Sequence, residues 1–342
     1  MKRSEFLRNT SLGLASVLVV PHILSKNDTV LGHNNKRYRI NTRWSQADVS
    51  RYPVNDCHEM VQDQKGRILL LTNETKNNVL IYDKNGKILD AWGTEYPGAH
   101  GFTLFNENGT DVLFICDNNR HQVIKTTIDG RVLMTLDYPK EPGLYNKPEE
   151  YIPTETAIAP NGDIYVTDGY GKDFVIQYDA QGRYIRHFGG RGAGTEHLLN
   201  AHGICLDLRD IAKPSLMVSS RQQNAFKRFD LEGNYLETIA LPGVWVCRPV
   251  IKGEYLYAAV LQSDRRQGQQ SGFVTILDKQ NKVVSNLAGS TPIYSEGQLS
   301  EMYQTIQAFQ YPHDVCIDDE ENLYVAQWNS GKTYPFKLEP VK

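Results

Sequence analysis

Tyr311-Pro312-His313-Asp314-Val315-Cys316-Ile317-Asp318 places a histidine just ahead of a short apolar strand and closes on an acidic turn. Its fragments recur at wide, fairly even intervals, as Asn200-Ala201-His202-Gly203-Ile204-Cys205, Gly98-Ala99-His100-Gly101-Phe102-Thr103 and Asp56-Cys57-His58-Glu59-Met60-Val61. Two more units, Pro153-Thr154-Glu155-Thr156-Ala157-Ile158 and Cys247-Arg248-Pro249-Val250-Ile251, keep the layout with another residue in the histidine's position. Six units repeating at roughly forty residues or more are the signature of stacked blades or solenoid turns.

The second half of each unit is more regular still. Val79-Leu80-Ile81-Tyr82-Asp83-Lys84-Asn85-Gly86-Lys87-Ile88-Leu89 is an alternating strand, a turn and a returning strand, and the same text comes back around Gly130, Gly182, Gly233 and Asn281. Glycine or asparagine at that point supplies the positive φ a tight hairpin needs. Each unit therefore reads as four short antiparallel strands, and six of them predict an all-β, six-bladed β-propeller of the NHL type. The last unit is one strand short, so a segment near Tyr38 to Arg43 is expected to close the ring. Long loops at residues 138–151, 189–199, 263–271 and 290–308 are expected to decorate a rim.

Length and composition agree with this division. A chain of 342 residues with a hydrophobic fraction of 40%, 19 Tyr and 27 Gly suits strands and turns better than helices. The formal net charge is −3, and Lys and Arg never run in blocks, which argues against a nucleic-acid partner. Residues 1–24 carry Lys2, Arg3 and Arg8 ahead of an uncharged run. That is the layout of an export signal, twin-arginine-like or general, either cleaved or kept as an anchor, and it predicts a periplasmic or extracellular protein. Residues 25–37 read as a linker and 38–342 as the propeller. The five cysteines form no CxxC pair and read mainly as core residues.

In a propeller the innermost strands line a central channel. The six equivalent positions, in ring order, are His58, His100, Thr154, His202, Arg248 and His313. His100, His202 and His313 come from alternate blades, about a third of a turn apart, and three converging imidazoles with an open fourth position match a catalytic zinc site. The competing reading is four hydrogen-bonded turn residues multiplied by duplication.

These residues resemble the lyase domain of peptidylglycine α-amidating enzyme, peptidyl-α-hydroxyglycine α-amidating lyase, over about Asp56 to Lys337. The resemblance is carried chiefly by Ile164-Tyr165-Val166-Thr167-Asp168-Gly169-Tyr170, Pro312-His313-Asp314-Val315 and His121-Gln122-Val123-Ile124-Lys125. It implies zinc on His100, His202 and His313, a catalytic Tyr170 and an active-site Arg221. It also implies a structural calcium on Asp314 and the carbonyls of Met60 and Phe102. The sequence departs from the family at the substrate end. Asn73 stands where the family has an arginine, Tyr311 where it has a methionine, and Gly171 where it has a disulfide cysteine. His58 is an additional ring histidine, suited to a fourth ligand, a partner behind a ligand or a proton relay. Asn73, Arg248 and Tyr311 are expected on the substrate side. The resulting expectation is an exported zinc-dependent lyase acting on a small or peptide-like substrate. Its rivals are a metal-dependent lactonase or esterase and a non-catalytic module that binds a glycan or protein.

Overall fold

A computed structural model of the chain describes residues 29–141, 143–263 and 270–341. The expected export leader lies outside the described residues, as does most of the loop at 263–271. Among the described residues no helix is long and apolar enough to cross a membrane.

The described residues start with a hairpin, β1 (Val30–His33) and β2 (Lys36–Asn41), then build five blades in sequence. Blade one is β3 (Cys57–Gln62), β4 (Ile68–Thr72), β5 (Val79–Tyr82) and β6 (Ile88–Trp92). Blade two is β7 (Ala99–Glu107), β8 (Thr110–Asp117), β9 (Gln122–Thr127) and β10 (Val132–Leu136). Blade three is β11 (Glu155–Ile158), β12 (Ile164–Thr167), β13 (Phe174–Tyr178) and β14 (Tyr184–Gly189). Blade four is β15 (Ala201–Asp207), β16 (Ser215–Ser220), β17 (Ala225–Asp230) and β18 (Tyr235–Ala240). Blade five is β19 (Val244–Lys252), β20 (Tyr255–Ser263), β21 (Phe273–Leu277) and β22 (Val283–Leu287), followed by a small hairpin, β23 (Tyr294–Ser295) and β24 (Gln298–Leu299). Blade six, β25 (Pro312–Ile317), β26 (Leu323–Gln327) and β27 (Phe336–Pro340), takes its fourth strand from the N-terminal segment. Ile40 of β2 lies opposite Leu338 of β27.

The middle strands show why the sheets stack. Ile68–Thr72 and Val79–Tyr82 are buried at every position, because neighbouring blades cover both faces and leave no side for alternating polar residues. Tyr235–Ala240, an outermost strand, alternates between half-buried and exposed. Apolar clusters fill the gaps between blades, and each fully buried Leu, Ile or Val contributes about 1.5–3 kcal/mol.

One boundary needs correcting. Residues 30–33, read from composition as part of a linker, form a strand, because Leu31 is buried in the cluster between blades five and six and Asn34 turns the chain with φ 55°. The propeller therefore begins before residue 38.

Candidate metal centre

Each of the four histidine-bearing inner strands carries an irregularity at the site. The pairing of β3 with β4 shifts between Cys57 and Glu59, β7 with β8 between Ala99 and Gly101, β15 with β16 between Ala201 and Ile204, and β25 with β26 between Pro312 and Asp314. His58, His100, His202 and His313 sit in those gaps. A bulge frees its extra residue from the ladder and re-aims its side chain, here toward the channel axis. Two of the histidines are followed by glycine for a steric reason. A Cβ on Gly101 would lie 2.5 Å from the Thr154 carbonyl oxygen, and one on Gly203 would lie 2.5 Å from Arg248 Cα. Adjacent inner strands thus approach more closely than any side chain allows. Asn200 and Tyr311, each two residues ahead of a ring histidine, take left-handed backbone at φ 59° and 45°.

The four rings meet. Centroids of His100, His202 and His313 are 4.8–4.9 Å apart, and His58 lies 5.0 Å from His100 and 4.9 Å from His313. His100 Nδ1 donates to the Thr154 carbonyl at 2.8 Å and His313 Nδ1 to the His58 carbonyl at 3.0 Å. Those bonds fix the tautomers and leave the ring's lone pair on Nε2 in each case. His202 is fully buried with no partner on either ring nitrogen, and His58 Nδ1 is buried and unpaired. Burial pushes the His58 imidazole down to about 3 and holds His100, His202 and His313 well below the usual range. Neutral imidazoles, of which His58, His100 and His313 bring ligand nitrogens within 4.8 Å of one another, and buried nitrogens lacking any protein partner, fit a divalent metal ion.

Tyr170 and Arg221 border this cluster. Tyr170 leaves β12 through a turn centred on Asp168, whose carboxylate accepts from the Ile152 and Lys172 amides, both at 2.7 Å, and from the Tyr145 hydroxyl at 2.6 Å. Tyr170 is 38% exposed as a residue, and its hydroxyl donates to His100 Nε2 at 3.1 Å. Burial raises the phenol above its usual range, while the Arg221 charge pulls the other way. Arg221 follows β16 on a single 3-10 turn (Arg221–Gln223) and is buried. Its Nη2 donates to Cys247 Sγ at 3.1 Å, its Nε has no partner, and among the described residues no carboxylate pairs with it. A buried cation left this way stabilises negative charge brought to it.

The expected calcium site is corrected by the structure. Asp314 and the carbonyls of Met60 and Phe102 do converge, but the cation between them is Arg248. Its Nε and Nη2 donate to Asp314 at 3.0 and 2.7 Å, Nη1 to Phe102 O at 2.9 Å, and Nη2 to Met60 O at 3.1 Å. A planar guanidinium satisfies a carboxylate and two carbonyls together, which leaves no room for an ion. Arg248 is consequently a buried channel residue and is removed from the substrate side. Glu59 and Glu155, which sequence reading passed over, lie 3.4 and 3.7 Å from the same guanidinium.

His58 and His100 open onto a cavity of about 310 Å³ also lined by Tyr170, Asn73, Asn118 and Trp328. Asn73 is held at its wall, accepting from the Asp56 amide at 2.9 Å and donating to the Asp56 carboxylate at 3.1 Å. Tyr311 packs edge-on against Trp328 and is not itself among the lining residues. Trp328, Asn118 and Cys247 also escaped the sequence reading. Trp328 and Asn118 lie outside the repeated histidine text, and only the alignment of blade ends brings them to one mouth; Cys247 stands in the blade-five unit beside Arg248, where it reads as a core thiol. The five cysteines are free thiols, four of them buried.

Comparison with known proteins agrees with this architecture. Residues 157–334 match a family model described as "6-bladed beta-propeller". A probable peptidyl-alpha-hydroxyglycine alpha-amidating lyase of Caenorhabditis elegans is 32% identical over 158 residues, 45% of this chain and 40% of the relative, so the match spans well under half of that protein. Among solved structures, a gluconolactonase from Xanthomonas campestris superposes with TM-score 0.61 at 13% identity, over 91% of this chain and 95% of its own. Virginiamycin B lyase from Staphylococcus aureus gives TM-score 0.54 at 16% identity over 90% and 88%. At such identities these two share the fold alone.

Proposed function

The chain belongs to the six-bladed β-propeller family, and from that premise we propose that it is an exported, zinc-dependent lyase that cleaves a C–N or C–O bond beside a hydroxyl group. The observation that carries this reading is the convergence of four neutral histidines with the Tyr170 hydroxyl, 3.1 Å from His100 Nε2, beside an open cavity that His58, His100 and Tyr170 line. Similarity to a relative named as an amidating lyase adds support. The converging ring histidines would hold the ion, and a bound divalent ion supplies Lewis acidity that lowers the pKa of a substrate hydroxyl.

The chain's own groups perform the rest. Tyr170 Oη is placed to take the hydroxyl proton as the C–N or C–O bond breaks and the carbonyl forms, and to return it to the leaving atom. Burial raises the phenol, and the Arg221 charge offsets part of that rise. Arg221 also faces negative charge that develops during cleavage or is carried by a substrate carboxylate. A lactonase relying on accessible carboxylates is less well supported, since Asp314, Glu59 and Glu155 are buried around Arg248.

The test is to incubate zinc-loaded protein with an N-acyl-α-hydroxyglycine and related α-hydroxylated amides and measure glyoxylate or the corresponding carbonyl product. Tyr170→Phe should lower kcat by about 10²–10⁴-fold with zinc retained. No carbonyl release from any such substrate by the zinc-loaded protein would sink the lyase reading.

A further inference from the structure

The four rings form two triangles sharing the His100–His313 edge, one completed by His202 and the other by His58. We propose that the metal occupies the His58 triangle, with His58, His100 and His313 as its ligands and His202 beside it as a non-ligating neighbour. This rests on the metal-centre reading above but departs from the ligand set expected from sequence. Three observations favour the His58 face. Ligand atoms of His58, His100 and His313 all lie within 4.8 Å of one another. The adjoining cavity is lined by His58 and His100 and not by His202, His313 or Arg221, so an ion held at the His58–His100 edge keeps its open position toward solvent, as a catalytic site requires.

The third is an unmet nitrogen. His58 Nδ1 is buried and otherwise unpaired, and an ion on that face gives it a partner, while His202 keeps both of its buried ring nitrogens without one.

The experiment is Co²⁺ titration of the metal-free, full-length protein, followed by visible d–d absorption, for the wild type and for His58→Ala, His202→Ala and His58→Cys. Loss of a ligand should weaken Co²⁺ in His58→Ala by more than about 100-fold, beyond what removing a residue behind a ligand costs. His202→Ala should stay within about tenfold of the wild type, since it keeps the full ligand set. His58→Cys should show a new thiolate-to-cobalt charge-transfer band, a signature that only direct ligation produces and that does not depend on activity. Wild-type spectrum and affinity in His58→Ala, with binding lost in His202→Ala, would overturn the His58 assignment and leave the lyase reading standing. A wild type that takes up no Co²⁺ would overturn both. Urea midpoints of each variant separate lost ligation from lost folding.

Discussion

His58, His100, His202 and His313 are held as neutral imidazoles in a dry ring, and this has a cost in acid. Unfolded, each would protonate near pH 6.5, whereas folded His58 resists until about pH 3. The unfolded chain therefore binds more protons throughout that window, so stability is full above pH 6.5 and falls as pH drops. One pH unit below 6.5 the loss is about 1.4 kcal/mol per histidine. Asp168, raised to about 6 by burial, has the opposite sign and offsets part of the loss. The discriminating quantity is accordingly a difference. Metal-free wild type should lose more stability between pH 7.5 and 5.5 than His58→Gln, by about 1 kcal/mol in urea denaturation. Parallel pH profiles for the two proteins would refute the neutral, buried state of His58.

The inner strand is the element that turns a repeat into a site. The recurrence of histidine before an apolar run was legible in the sequence because it repeats, and so was the Asp-x-x-Gly hairpin that follows it. The bulges were not, since a one-residue slip between Ala99 and Gly101 or between Pro312 and Asp314 leaves no periodic trace. His-Gly in blades two and four was the available hint. Arg248 shows the same limit more sharply. Its place in the ring order was readable, but whether it faced the mouth or turned down the channel depended on Asp314, Glu59 and Glu155, which come from three other blades.

Arg248 accordingly ties blade five to blades one, two, three and six through one guanidinium. Replacing it with Met should leave the Asp314 carboxylate and two carbonyls buried without their donor, and cost about 3–5 kcal/mol in urea denaturation. Calcium added to the wild type should leave the midpoint unchanged, because the guanidinium already fills the position. A calcium-dependent rise in wild-type stability would contradict the occupancy described above.

At the scale of the whole molecule, the ring is closed by strands nearly three hundred residues apart. Tyr38↔Pro340, Arg39↔Glu339, Ile40↔Leu338 and Asn41↔Lys337 form the joint, and β1 adds a fifth strand whose His33 amide donates to Ser285 Oγ of blade five at 2.8 Å. Without this segment β27 would present an unpaired edge, and the core between blades five and six would lose Leu31, Tyr38 and Ile40, which are at most 5% exposed. Four converging histidines need a closed ring, because the His58 and His313 blades flank the joint, with β2 completing blade six. A Tyr38→Ala substitution removes a fully buried aromatic from the joint and should cost about 3–5 kcal/mol. It should also weaken metal uptake, although Tyr38 touches none of the histidines. The measurement is a paired one, urea midpoint and Co²⁺ affinity on the same preparation. A large loss of stability with affinity unchanged in the fraction that remains folded would show that the histidine cluster is held by its own blades and does not depend on closure.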